Sequence, residues 1–147
     1  MSAFGVLVKK DIPGSSSAWL RSTFGHDTGL PIVLDISKFA DGTNMDAEAR
    51  FIPSGIPLGR ITAPGSTGKH VYGPFDPSAD DGRQTLAGFL KTDHEWPDGY
   101  TGDHHAALLQ VAIIRQAELP YAYASVVTEA VAKASTGLVL IEYAKGA

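Results

Sequence analysis

The stretch that decides the fold reads FIPSGIPLGRIT at residues 51–62, GPFDP at residues 73–77 and DGRQTLAGFL at residues 81–90. Its short apolar pieces are interrupted by Gly and Pro every few residues. Gly readily adopts positive φ and Pro cannot donate to a strand ladder, so this spacing is typical of short strands joined by tight turns. No helix can run through it. The stretch therefore predicts a β-rich body.

Strands are also predicted outside this stretch. One of them, near residue 30, shows a partial alternation that places Ile32, Leu34 and Ile36 on one face. The long apolar run at residues 106–115 predicts a central strand, with a buried helix as the alternative, and a brief helix is likewise the alternative at residues 84–90. The predicted strands of the body are residues 30–36, 56–62, 69–72, 84–90, 106–115 and 138–143.

One helix is predicted, near the C-terminal end. Residues 121–136 carry apolar side chains at close to a 3.6-residue spacing. Ser125 is placed to cap the start of this helix and Gly137 to end it. Together with the strands, this predicts a mainly β fold with one C-terminal helix, in the α+β class.

The first 29 residues are interpreted as an extended arm. Residues 4–8 are apolar enough for one short strand, but the Gly and Ser of residues 11–17 are typical of a linker. Large apolar side chains on an arm usually need a partner to bury them, which gains about 1.5–3 kcal/mol for each. The alternative is that the arm folds back and Trp19 completes the core of its own domain. The candidate contact residues of the arm are Phe4, Val6, Val8, Trp19, Leu20 and Phe24.

Composition limits the classes of protein to be considered. The 147 residues are the usual size of one domain and suffice for a sizeable core. Lys and Arg number 12 against 16 Asp and Glu, with no long basic block, so nucleic-acid binding is not expected. Without cysteine there is neither a disulfide nor a thiolate metal site. The apolar opening is too short for a signal peptide or a membrane span, which predicts a soluble protein made in a cytoplasm.

A polar segment of thirteen residues is the strongest candidate for chemistry, because it holds three His and four carboxylates. A small metal-dependent enzyme using His94, His104 and His105 is therefore an alternative function. Adjacent His104 and His105 point to opposite sides of an extended chain, so at most one of them can join His94. The other interpretation is a surface loop in which Trp96 and Tyr100 pack at an interface or over the edge of the domain.

The order and wording of IPSGIPLGRIT and YGPFDPSADDGRQTLAGFL, at residues 52–62 and 72–90, resemble the head decoration (capsid cement) proteins of tailed bacteriophages. This family includes the lambda-type decoration protein. The resemblance covers roughly residues 50–143 and contains no catalytic residue. The chain differs from the short members of the family in its longer arm and in an insertion around residues 94–105.

The resemblance implies a structural protein that binds the outside of the expanded head as a homotrimer and stabilises the shell. The expected partners are the major capsid protein and two further copies of the chain, with no cofactor, metal, nucleic acid, membrane or small-molecule substrate. It also implies a β-clip-like decoration domain at residues 30–147 and a capsid-binding arm at residues 1–29. The expected location is the outer capsid surface of the virion, after synthesis in a host cytoplasm. A different phage structural part, such as a tail or spike component, is a further alternative.

Overall fold

A computed structural model describes residues 18–21, 29–62 and 70–142 of the chain. In this part of the chain there are nine strands and one short α-helix. The predicted β-rich α+β class is therefore confirmed.

Five of the strands close into a small barrel. β1 (Leu30–Leu34) pairs in parallel with β4 (Val71–Pro74) and antiparallel with β7 (His104–Leu109). β3 (Pro57–Arg60) lies between β4 and β5 (Gly88–Leu90), antiparallel to both. β5 pairs with β7 and completes the ring. Closure gives each of these five strands two neighbours.

The stretch quoted first lies at the centre of the core. Residues 51–59 are all buried. β2 (Phe51–Ile52) pairs antiparallel with β6 (His94–Glu95) in a separate two-stranded sheet beside the barrel. The segment after β6 is thereby fixed at its start to the most buried part of the chain.

The strand predicted at residues 30–36 is shorter than expected. Ile32 and Leu34 share a buried face, as the alternation predicts. Ile36 does not extend that face, because the side chain of Asp35 accepts a hydrogen bond from Ser37 N and starts a 3-10 turn at Ile36–Lys38.

The run predicted as one central strand is divided into two strands, and the buried-helix alternative is wrong. β7 ends at Leu109, and β8 (Val111–Arg115) begins after Gln110. β8 leaves the barrel and pairs in parallel with β9 (Leu138–Glu142). The carbonyl of Gln110 accepts a hydrogen bond from Leu138 N at 2.9 Å. Gln110 is thus the junction at which the chain passes from the barrel to a second sheet.

The helix exists, as predicted, but it is much shorter than residues 121–136. α1 spans Glu129–Lys133, and its N-cap is Thr128 instead of Ser125. Tyr121 has a φ of 55°, which a right-handed helix does not allow, and a 3-10 turn follows at Tyr123–Ser125. Another 3-10 turn, at Gln116–Glu118, directly follows β8. The helix ends before Gly137, which instead lies so close to Gln110 that a Cβ there would meet its carbonyl oxygen.

Candidate functional site

The segment around Trp19 lies on the body, although the sequence analysis assigned it to the arm. The indole of Trp19 is 1% exposed. Its ring packs against Phe89 with centroids 5.4 Å apart, and its Nε1 donates a hydrogen bond to Ser54 Oγ at 3.2 Å. Trp19 therefore belongs to the core of its own domain, which is the second of the two interpretations, and it is not available to a partner.

The backbone on either side of Trp19 is bonded to β8. Arg115 N donates to the carbonyl of Trp19 at 2.7 Å, and Arg21 N donates to the carbonyl of Ile113 at 2.8 Å. Leu20 forms an antiparallel bridge with Ile114 and packs against the core. Leu20 is thus also held by the body, and the segment is joined to β8 by one isolated antiparallel bridge and the two flanking backbone hydrogen bonds.

The socket that receives Trp19 is built by the central stretch of the sequence. Gly55 has a φ of 91°, and a Cβ at this position would lie 2.8 Å from Cδ1 of Trp19. Only glycine permits both the conformation and the close approach. Ser54 and Gly55 belong to the IPSGIP motif, and Phe89 belongs to the LAGFL motif. The two motifs on which the family resemblance rests therefore supply residues that contact the Trp19 indole.

The remaining arm candidates, Phe4, Val6, Val8 and Phe24, lie outside the described residues. Their assignment as capsid contacts stays a prediction. Ala18 and Trp19, which directly follow residues 1–17, are attached to the body by hydrogen bonds from Arg115.

The outward face of β9 is a surface that the sequence analysis missed. Leu138 is 49% exposed and Leu140 is 47% exposed. Their register partners on β8, Val111 and Ile113, lie beside them on the same face. Among the described residues β9 has one strand neighbour, β8. A continuous apolar run such as LVLIE usually predicts a strand buried on both faces, and only this edge position could have revealed the exposure.

Charged groups lie at one end of that face. Arg21 and Arg115 both form ion pairs with Glu142, the last residue of β9. These side chains are about half exposed, and exposed pairs of this kind contribute only about 0–1 kcal/mol. The three groups therefore connect residue 21 to β9 without adding much to stability.

The polar segment between β6 and β7 is organised around two of its three histidines. His94 Nε2 and His104 Nδ1 are 3.0 Å apart, while His105 lies on the opposite side of β7 and is exposed. The alternation expected from the sequence is confirmed. The three-histidine set of the metal-enzyme alternative is therefore not brought together.

Aromatic rings surround His104. The ring of Trp96 lies edge to face with it at 4.9 Å, and the ring of Tyr100 does so at 5.1 Å. Trp96 also packs against the core, whereas Tyr100 is 43% exposed and its hydroxyl donates to the carbonyl of Asp103 at 2.7 Å. Both aromatic residues thus pack over the edge of the domain, as the loop interpretation predicts. Whether they also contact a partner stays a prediction.

The environment lowers the pKa of both histidines. Burial lowers the pKa of His94, and the neighbouring His104 adds to this effect. Burial also lowers the pKa of His104, with the carboxylate of Asp103 acting in the opposite direction. Burial therefore disfavours the charged form of both rings, and in the neutral pair the N–H of one ring donates a hydrogen bond to the unprotonated nitrogen of the other.

A metal site requires at least three convergent ligands. In the part of the chain that the structure describes, no three His, Asp or Glu side chains come together closely enough to hold a metal ion. His94 and His104 remain a pair without a third ligand from these residues.

A cleft of about 340 Å³ lies between the Ile36–Lys38 turn and the Tyr123–Ser125 turn. Its lining includes Lys38 and Arg83, which both pair with Asp81. The buried amide of Asn44 donates to the hydroxyl of Tyr123 at 3.3 Å. These four polar side chains of the cleft are thus bonded within the chain.

No helix within residues 18–21, 29–62 and 70–142 is long and apolar enough to span a membrane.

The chain was compared with protein-family models, with curated proteins and with solved structures, and none of the three comparisons gave a significant match.

Proposed function

We propose that this protein is a capsid decoration protein, which binds the outside of an expanded phage head as a trimer and stabilises the shell. The observation that carries the proposal is the seating of Trp19 by the motif that resembles the family. This contact attaches the N-terminal segment to a rigid β body, and the residues before Ala18 then start from a fixed point. In this proposal the β body has the β-clip-like fold of decoration proteins.

The physical need for such a protein is clear. A filled head holds densely packed, self-repelling DNA, so its shell is under outward stress and gains from links between neighbouring capsid subunits. A trimer engages three capsid subunits at once. Linking three contacts raises the overall affinity far above that of one contact, so each contact can be modest.

The arm is assigned to the shell. The apolar residues Phe4, Val6 and Val8 have the spacing of a strand, and such a segment can add to an exposed strand edge of a capsid subunit through main-chain hydrogen bonds. Phe24 would fill a pocket on the same partner. Trp19 and Leu20, in contrast, serve as the anchor on the body.

The body is assigned to the contacts within the trimer. Leu138 and Leu140 are the best candidates, because they form an apolar face on a strand with one described neighbour. Burying the exposed half of each leucine gains about 1 kcal/mol per residue. Trp96 and Tyr100 form a possible second interface.

The test is co-sedimentation with expanded heads of the phage that this proposal implies, assembled from its major capsid protein, followed by imaging of the pellet. Saturable binding with density at local three-fold positions is the expected result. Absence of binding to expanded shells would overturn the decoration role.

Deletion of residues 1–17 tests the arm and leaves the Trp19 anchor in place. This variant should keep the thermal midpoint of the full chain within a few degrees and lose shell binding. Deletion of residues 2–3 is the control, because it removes N-terminal chain and retains Phe4, Val6 and Val8. Full binding by the longer deletion would overturn the arm assignment alone.

A further inference from the structure

We propose that His94 and His104 form an acid-sensitive latch, which holds the loop of residues 96–103 closed on the body. His94 lies in β6 just before this loop, and His104 opens β7 just after it. The bond between the two rings therefore closes the loop at its base. This inference does not depend on the decoration role.

The geometry identifies the contact as a hydrogen bond. The two nitrogens are 3.0 Å apart and the ring centroids are 5.2 Å apart. The centroid distance exceeds the nitrogen distance by about twice the radius of an imidazole ring. Each nitrogen thus lies almost on the line that joins the centroids, and the rings meet head-on. Two ligands of a common metal ion would instead point at a third position beside that line.

A head-on pair responds to protons in two steps. With no added proton, one ring donates N–H and the other accepts it. The first added proton leaves the N–H···N bond in place and makes it charge-assisted. The second proton removes the last acceptor, so two N–H groups and two positive charges face each other. The pair must then separate.

Separation of the pair affects the whole loop, because His104 is also the contact of two aromatic rings. Trp96 and Tyr100 each lie edge to face with it, and Trp96 lies 5.5 Å from the ring of His94. The loop is also bonded to the body through Arg50, whose Nε donates to the carbonyl of Trp96 at 3.1 Å and whose carbonyl accepts from Trp96 N at 3.3 Å. Movement of His104 therefore removes a ring contact of Tyr100 and one of the packing contacts of Trp96.

The surrounding charges allow the latch to work in acid. Asp103 precedes His104 and favours a proton on that ring. A proton on His104 then opposes a proton on His94. The other charged or titratable groups on the adjoining elements are Arg50 before β2, Asp35 after β1, Asp93 and Glu95 at β6, Asp98 and Tyr100 in the loop, and His105 in β7.

The chain contains two tryptophans, one in the core and one in the loop, so it carries its own spectroscopic reporter and internal control. Trp19 reports on the core and Trp96 on the loop. The full chain is labelled with fluorotryptophan, the two ¹⁹F resonances are assigned with a Trp96→Phe variant, and spectra are recorded from about pH 7.5 to about pH 4, below the ordinary pKa of histidine. The Trp96 resonance should change at a pH where the Trp19 resonance does not.

Two glutamine variants decide the cause. Gln can hydrogen-bond but cannot be charged, so His104→Gln should abolish the separate transition of Trp96 while Trp19 keeps its wild-type resonance. His105→Gln is the matched control on the other face of β7 and should behave like the wild type. The proposal is overturned if Trp96 and Trp19 change only together, or if the transition of Trp96 persists in His104→Gln.

Discussion

Replacement of Trp19 by Ala is expected to destabilise the body by about 3–5 kcal/mol, the range for removing a large aromatic side chain from a packed core. The side chain is 1% exposed, so nearly all of its area is lost from the core and a cavity remains. The change also removes the ring contact with Phe89 and the hydrogen bond to Ser54 Oγ. Domains of this size are stable by only about 5–15 kcal/mol, so the variant should lie near the limit of folding.

The measurement is urea unfolding at neutral pH, followed by far-UV circular dichroism because the substitution itself removes a fluorophore. Trp96→Ala is the matched control: it removes the same side chain from a half-buried position on the loop and should cost about 1 kcal/mol. Trp19→Phe should lie between the two variants, since it keeps a ring against Phe89. If Trp19→Ala lowers the free energy of unfolding by no more than Trp96→Ala does, Trp19 is not part of the core and its assignment to the arm is correct.

Three further changes test other parts of the structure. Gly55→Ala should cost about 1–3 kcal/mol, because a side chain at a φ of 91° is strained and meets the indole; an unchanged urea midpoint would contradict this. Burial lowers the pKa of His94 and His104, so below about pH 6.5 the unfolded chain binds more protons than the folded one. This part of the stability is complete above that pH and is lost as the pH falls through the folded-state pKa values; the double change His94→Gln and His104→Gln should flatten the dependence, and equal slopes in both proteins would speak against it. In the proposed trimer, Leu138→Lys with Leu140→Lys should abolish the association seen in sedimentation experiments and shift the thermal midpoint by only a few degrees; a trimer retained by this variant would exclude this face as the trimer contact.

The sequence predicted the parts of the fold that depend on local pattern. Gly and Pro at short intervals predicted strands and excluded a long helix from residues 51–90, and the structure places the strands β3, β4 and β5 there. The alternation of Ile32 and Leu34 predicted their common buried face. These features are set by backbone conformations that nearby residues allow, so neighbouring residues suffice to predict them.

The errors concern features that distant residues decide. The apolar run at residues 106–115 gives no local sign of a break at Gln110, because the break is needed to pair β8 with β9. The expected long helix had the correct spacing, but the positive φ of Tyr121 and the cap at Thr128 shorten it. For Trp19, the polar neighbours in sequence suggested a partner, whereas its actual neighbours, Ser54 and Phe89, come from remote parts of the chain.

The candidate site was predicted only where it depends on local pattern, and its long-range contacts were missed. Strand alternation correctly separated His104 from His105. That His94 is the partner of His104 follows from the positions of β6 and β7 in space, which only the fold provides. The exposed leucines of β9 were missed because exposure at a sheet edge depends on how many strands the sheet contains.

The anchor at Trp19 also determines how mechanical force enters the molecule. A pull applied at Ala18 acts directly on the indole of Trp19 and on the two backbone hydrogen bonds that join this segment to β8. Pulling this segment off the body requires the almost fully buried Trp19 ring to leave the core. Tension applied at this point is therefore transmitted through Trp19 to Ser54 and Phe89, that is, to the core and the barrel strand β5.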